Sequence, residues 1–128
     1  MRSIKNEIER CMKDFEMSGG GELRADFIFP EDFVGFQGHF PGNKILPGVC
    51  QIQCVVSMVE KWKGKGAALK EIVLAKFLSP VSPSEEMECS VKVVEENSEE
   101  LILKASFSRN SKKTAEMKLR IQIKQDRR

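Results

Sequence analysis

Hydrophobic positions near the start of the chain recur at helical spacing. An amphipathic helix from about Ile4 to Met17 is predicted, because apolar residues follow one another every three or four positions at Ile4, Ile8, Met12 and Phe15. Three glycines, Gly19–Gly21, would end this helix. Strict alternation then begins and predicts a strand that Pro30 closes, with apolar residues at Leu23, Ala25, Phe27 and Phe29.

A second helix is predicted from Pro47 until Gly64 and Gly66 stop it. Proline suits the first helical position, where its missing N–H costs nothing. A wide apolar face is formed by Val49, Ile52, Val55, Val56 and Val59, with Cys50 and Met58 beside it. Few polar residues precede Glu60, so we expect this helix to be largely surrounded by other structure.

The C-terminal half has the two-residue period of strands. One strand is expected over Ile72–Leu78, and three longer alternating segments follow at Cys89–Val93, Leu101–Phe107 and Ala115–Ile123. Polar turns join these three, which predicts an antiparallel meander with one buried face. The predicted fold class is therefore α+β: one domain, residues 1–128, in which five to six antiparallel strands curl around a central helix, with an additional N-terminal helix.

Composition narrows the possible partners. The chain has 128 residues and a formal net charge of only +2, which does not favour nucleic-acid binding. No segment approaches the roughly 20 apolar residues of a membrane span, and the charged N-terminus lacks the apolar core of a signal peptide. We expect a soluble, cytoplasmic protein.

Four cysteines occur, at Cys11, Cys50, Cys54 and Cys89, without a CxxC pair. Cys50 and Cys54 would share one helix face, yet a single histidine is available to complete a metal site. Small buried thiols in a reducing compartment are the simpler interpretation. The sequence indicates neither a metal nor a cofactor.

The single histidine lies in a loop, Glu31–Leu46, that is rich in glycine and proline. Imidazole is the side chain whose proton affinity suits acid/base work near neutral pH. His39 stands in the run Gly38-His39-Phe40-Pro41-Gly42, shortly before the central helix begins. We interpret it as an acid/base group that faces the positive end of that helix; a structural loop histidine, bonded to backbone, is the alternative.

Two stretches carry a family resemblance. Phe36–Asn43 followed by Ile45–Val49, and then Lys76–Pro83, resemble the signature of the β-hydroxyacyl-acyl-carrier-protein dehydratases of the FabA/FabZ type, over about residues 22–123. The resemblance implies a hot-dog fold and a dimer whose sheets join edge to edge. It also implies an interface site with a loop histidine from one subunit, a helix carboxylate from the other, and an acyl substrate carried on the phosphopantetheine thioester of acyl carrier protein.

Dehydration of a β-hydroxyacyl thioester needs a base at the α-carbon and an acid at the β-hydroxyl. Charge develops on the thioester oxygen, and backbone N–H groups at a helix N-terminus can meet it. His39 would take the α-proton, and the amide of Gly48, without a side chain, can approach the carbonyl closely. Around them the predicted substrate-binding residues are Phe40, Pro41, Gly42, Lys44, Pro47, Val49 and Cys50.

One position departs from the family pattern. Five residues after Gly48, where the family has Glu or Asp, this chain has Gln53, and four residues later it has Ser57 where the family tends to have Gln. An amide has no proton to give to a leaving hydroxide. Glu60 lies about 10 Å farther along the helix, too far to replace that acid. Three explanations remain open: His39 acts alone while Gln53 orients the substrate, a related chain supplies the carboxylate in a heteromer, or the chain binds acyl groups without dehydrating them.

A basic rim is a further interpretation of the lysines, because acyl carrier proteins are acidic and positive charge would steer one toward the site. Lys44 lies beside the motif, and Lys61, Lys63, Lys65 and Lys70 cluster after the helix, where they also complement the helix dipole. The leading hypothesis is thus a dehydratase that works as a homodimer, a larger assembly of dimers or a heterodimer. The alternatives are a non-catalytic acyl-carrier binding module and a hot-dog thioesterase.

Overall fold

One antiparallel sheet and one long helix organise the part of the chain described by the computed structural model, residues 3–37 and 44–125. The helices are α1 (Ile4–Cys11) and α2 (Gly48–Lys63), and a short 3-10 turn spans Val34–Phe36. The strands are β1 (Met12–Ser18), β2 (Glu22–Phe27), β3 (Ala67–Phe77), β4 (Met87–Glu96), β5 (Glu100–Arg109) and β6 (Lys112–Ile123). None of the helices in these ranges is long and apolar enough to cross a membrane.

The six strands lie in the order β1-β2-β4-β5-β6-β3, with every neighbouring pair antiparallel. Strands β4, β5 and β6 are consecutive neighbours, which confirms the predicted meander. Alternate side chains, such as Leu103 and Leu119, are fully buried on the inner face. Helix α2 is buried from Cys50 to Val59 except at Gln53, so the predicted central helix is confirmed as well.

The N-terminal helix prediction is wrong beyond Cys11, because residues from Met12 onward form the edge strand β1. A β-bulge in this strand explains why the spacing of its apolar residues resembled that of a helix. Met12 pairs with Phe27 and Glu16 with Arg24, and the register shifts between Lys13 and Glu16. The extra residue lets Met12 and Phe15, three positions apart, both pack against the core, which reproduces helical spacing within a strand.

Helix α2 starts one residue later than predicted. Pro47 is the N-cap, with extended backbone, and Gly48 is the first helical residue. Gly64 ends the helix in the left-handed region (φ 67°), as its sequence position indicated. Val49, expected on the buried face, is 71% exposed.

Strand β3 starts at Ala67, five residues before the predicted Ile72, because its first residues pair with the end of β6. It is an edge of the sheet, and much of its apolar surface is uncovered in the single chain. Large exposed hydrophobic side chains occur at Leu69, Ile72, Val73, Leu74, Phe77 and Leu78. An unpaired apolar edge is a ready template for pairing with another strand.

Candidate active site

The N-terminal turn of α2 is the chemical centre of the predicted site. Pro47 O accepts hydrogen bonds from the amides of Cys50 (3.0 Å) and Gln51 (3.2 Å). The amides of Gly48 and Val49 have no acceptor among the described residues. The first turn therefore presents two backbone donors at the positive end of a 16-residue helix.

Gly48 also lies close to the end of β3. A Cβ placed there would lie 2.7 Å from Cζ of Phe77, the last residue of β3. A larger residue at position 48 would require the half-exposed ring of Phe77 to move aside. The predicted role of Gly48 as a close-approach position thus has a packing counterpart in this contact.

Gln53 occupies the helix position of the family acid. Its side chain is half-buried, and Nε2 donates a 3.0 Å hydrogen bond to Oγ of the buried Ser57 one turn later. This bond orients the carboxamide along the helix. The two positions at which the chain departs from the family pattern are thus in contact with each other.

Glu60 is engaged in holding the fold together. Its Oε2 accepts a 2.8 Å hydrogen bond from the amide of Ala67, the first residue of β3, and its Oε1 lies 3.1 Å from Nζ of Lys5. This carboxylate therefore joins α2 to β3 and α1. The position agrees with the sequence argument that Glu60 does not replace the helix acid.

Gln51 is a buried polar residue of this site that the sequence reasoning missed. Its Nε2 donates a 3.3 Å hydrogen bond to the backbone oxygen of Leu46, and its Oε1 is buried without a hydrogen-bond partner among the described residues. Leu46 is itself fixed by a 2.8 Å hydrogen bond from its amide to Val81 O. The available signal was a polar side chain one turn after Pro47 on an otherwise apolar helix.

The thiols have the character of core residues. Cys50, Cys54 and Cys89 are buried and no cysteine forms a disulfide. Burial raises the pKa of all three thiols, and burial together with the charge of Glu7 raises the pKa of Cys11. They remain protonated near neutral pH. Within residues 3–37 and 44–125, no group of His, Cys, Asp and Glu side chains could hold a metal ion.

Lys44 and part of the lysine cluster after α2 are held by neighbours. Lys44 Nζ donates to the backbone oxygen of Glu31 at 3.0 Å and lies 3.4 Å from its carboxylate. Lys63 pairs with Glu96, whereas Lys65 and Lys70 are exposed. Among the predicted site residues, the structure brings Gly48, Val49, Cys50 and Gln53 together on the first turns of α2. His39, Phe40, Pro41 and Gly42 lie outside the described residues.

The sheet and its central helix define the class: this is a hot-dog fold. The dehydratase heterocomplex ApeI:P from Xenorhabdus doucetiae has a TM-score of 0.74 at 21% identity, covering 87% of this chain and 96% of that one. The E. coli PaaI protein of the phenylacetic acid degradation operon has a TM-score of 0.66 at 11% identity, covering 93% and 92%. At these identities the likeness establishes the fold.

Sequence establishes the family. The ApeI-like family model, described as ApeI dehydratase, matches residues 16–125, and the chain belongs to this family. It is also 35% identical over 96 residues to a 3-hydroxyacyl-[acyl-carrier-protein] dehydratase FabZ from Enterococcus faecalis, covering 69% of this chain and 67% of the relative. The FabZ of Ehrlichia chaffeensis is 38% identical over 71 residues, and there the chain spans about half the relative's length (48%). The resemblance to FabA/FabZ-type dehydratases is confirmed.

Proposed function

We propose that this chain is a β-hydroxyacyl-acyl-carrier-protein dehydratase that converts a 3-hydroxyacyl thioester to the trans-2-enoyl thioester in fatty-acid or related lipid synthesis. The observation that carries the proposal is the first turn of α2, where the amides of Gly48 and Val49 have no acceptor among the described residues. This turn lies in a chain of the ApeI-like dehydratase family, whose FabZ relatives are named for this reaction. Two backbone donors without an acceptor at a helix N-terminus support the proposal, because the reaction develops negative charge that such donors stabilise.

In the proposed reaction His39 removes a proton from the α-carbon while the amide of Gly48 stabilises the charge on the thioester oxygen. The imidazolium then gives the proton to the β-hydroxyl, the C–O bond breaks, and water leaves. The α,β double bond forms from the electron pair of the broken C–H bond. One imidazole thus serves first as base and then as acid, which is sufficient for atoms and charge to balance.

Gln53 takes an orienting role in this proposal. Its carboxamide is held by Ser57, so its oxygen can accept a hydrogen bond from the substrate hydroxyl. This arrangement positions the leaving group for protonation by His39. It does not supply a proton, and the acid step rests on the histidine.

A heteromeric enzyme is the second candidate, and one observation favours it. The solved ApeI:P structure is a dehydratase heterocomplex. If this chain likewise pairs with a related chain, that chain would bring the carboxylate that Gln53 lacks. The exposed edge strand β3, together with the exposed Val49, offers the surface for either a second copy or such a partner.

Hydration of a crotonyl thioester, the reverse reaction, tests these proposals. Activity in the purified chain, its loss in His39→Ala and its increase in Gln53→Glu would support the dehydratase. No turnover in the wild type with turnover in Gln53→Glu would favour an acyl-carrier binding protein or a subunit that needs a partner. Release of free thiol would favour a thioesterase and contradict the proposal.

A further inference from the structure

The outer face of the sheet, opposite α2, has charged side chains that are mostly paired. Arg24 contacts the carboxylates of Glu88 and Asp26, and Arg120 contacts those of Glu71 (3.1 Å) and Glu100 (3.4 Å). In the same way Lys113 lies 2.9 Å from Glu116. One group of cations on the same face differs from these, because its members have no carboxylate partner among the described residues.

Three lysines form that group. In the register of neighbouring strands, Lys92 lies opposite Lys104 and Lys104 lies opposite Lys118, so the three make one row across β4, β5 and β6. None of them has a carboxylate within ion-pair distance among the described residues, although Glu22 is the register neighbour of Lys92. Like charges directly opposite on adjacent strands destabilise a sheet. A partner that carries negative charge would remove this repulsion.

The lysine row lies in a groove of about 740 Å³ that crosses the sheet. The groove reaches from Glu16 and Ser18 on β1 to Leu74 on β3. Leu74 is the register neighbour of Lys118, and its side chain is 44% exposed. Six strands at about 4.8 Å spacing give it a length of roughly 24 Å, which matches a helix of about 16 residues. Glu16, Glu22 and Glu116 also line the groove, and Glu16 and Glu116 are paired with Arg24 and Lys113. Unpaired lysines in the middle and an apolar side chain at the β3 end suit an acidic helix with an apolar residue at one end.

We infer that this groove docks an acidic helix of the acyl carrier protein. The inference rests on the proposed function, which supplies a partner of that charge. The groove is also close to the candidate site: Leu74 is three residues, or about 10 Å, from Phe77 along β3. Phe77 ends the strand and packs against Gly48. A carrier seated at this end of the groove would begin its substrate arm about 10 Å from Phe77, the residue that contacts the first turn of α2.

The test compares two charge-matched double variants. Lys92→Glu with Lys104→Glu reverses two charges of the row, and Arg10→Glu with Lys124→Glu reverses two exposed charges outside the groove. Each variant is assayed with a carrier-bound thioester and with an N-acetylcysteamine thioester, which has no carrier. For the groove variant we expect the ratio of kcat/KM for the carrier-bound to the small substrate to fall about tenfold or more, since electrostatic steering changes association rates by 10 to 10³. The control ratio should stay within about twofold of the wild type.

An unchanged kcat/KM ratio in the groove variant would contradict the docking surface. An equal fall of the ratio in both variants would also contradict it, because only the net charge would then matter. Binding of apo-carrier protein, followed by fluorescence anisotropy, tests the docking without catalysis. If neither thioester is turned over but the carrier binds and the groove variant weakens this binding about tenfold, the proposed reaction fails while the docking surface stands. Equal carrier affinity in the two double variants would contradict the docking surface in either case.

Discussion

The side chain of Gln51 donates a hydrogen bond to the backbone oxygen of Leu46, 3.3 Å away, and thereby ties the second turn of α2 to the residue before the N-cap. Long side chains in helices lean toward the helix N-terminus, which is the direction this contact requires. Leu46 is fixed from the other side by Val81. Gly48 lies between the two ends of the Gln51 contact, so its amide is held in a defined direction.

Replacement of Gln51 by Leu should therefore impair the proposed chemistry more than the fold. The substitution frees Leu46 O but also removes a buried carboxamide oxygen that has no partner among the described residues, so the free energy of unfolding should change by only about 1 kcal/mol. A misplaced oxyanion donor should lower kcat for the crotonyl thioester about tenfold or more, with KM nearly unchanged. Urea unfolding and steady-state kinetics measure both quantities. A raised KM with an intact kcat would contradict this role.

Gly35 should tolerate no side chain. A Cβ at Gly35 would lie 2.4 Å from the ring of the buried Phe33 and 2.9 Å from the sulfur of the buried Cys50. We expect Gly35→Ala to lower the free energy of unfolding by about 1–3 kcal/mol, because an overpacked core must shift. Gly19→Ala is the matched control, since nothing lies within 4 Å of its Cβ. Equal stability of the two variants in urea unfolding would contradict the packing of this turn against α2.

The edge strand β3 predicts a register for a homodimer. On its outer face are Glu71, beside Arg120, and Lys76, near Glu116. A two-fold pairing that sets Glu71 of one copy opposite Lys76 of the other joins opposite charges on one face. We expect Glu71→Lys or Lys76→Glu alone to weaken self-association severalfold, and the double exchange to restore it, in sedimentation-equilibrium measurements.

Dimerisation that is insensitive to both single changes would exclude this register. A wild-type chain that stays monomeric at micromolar concentration would indicate that the β3 edge pairs with a different chain. That result would support the heteromeric candidate.

Stability should fall in mildly alkaline solution because of the buried thiols. Burial raises the pKa of Cys54 and Cys89 above 9.0, so these groups stay protonated in the folded state while the unfolded thiols ionise. A raised folded-state pKa gives stability that is complete below the unfolded pKa and is lost as pH rises above it. Each thiol contributes up to about 1.4 kcal/mol per pH unit in that window. Between pH 8 and 10, the free energy of unfolding in urea should decline more steeply for the wild type than for the double variant Cys54→Ala with Cys89→Ala. The same slope in both proteins would contradict this role of the thiols.

Local pattern was enough to predict most of the architecture. Alternation within β4, β5 and β6, interrupted by polar turns, can bury one face only as an antiparallel meander, and the apolar run between Pro47 and Gly64 can be satisfied only by a surrounded helix. The Pro47-Gly48 pair, through its resemblance to the dehydratase signature, pointed to the first turn of α2 as the candidate oxyanion site. These features depend on side-chain periodicity and on the backbone limits of proline and glycine, which neighbours in sequence fix by themselves.

Tertiary structure decided the rest, because it depends on which segments meet. The bulge in β1 makes Met12 and Phe15 face the core together, and pairing with β2 turns a helical spacing into a strand. Gln51 becomes a structural tie through its contact with Leu46, and three separate lysines become one row through strand register. Periodicity within one segment records which side chains avoid water; the identity of the atoms they meet is set by long-range pairing, which that periodicity does not encode.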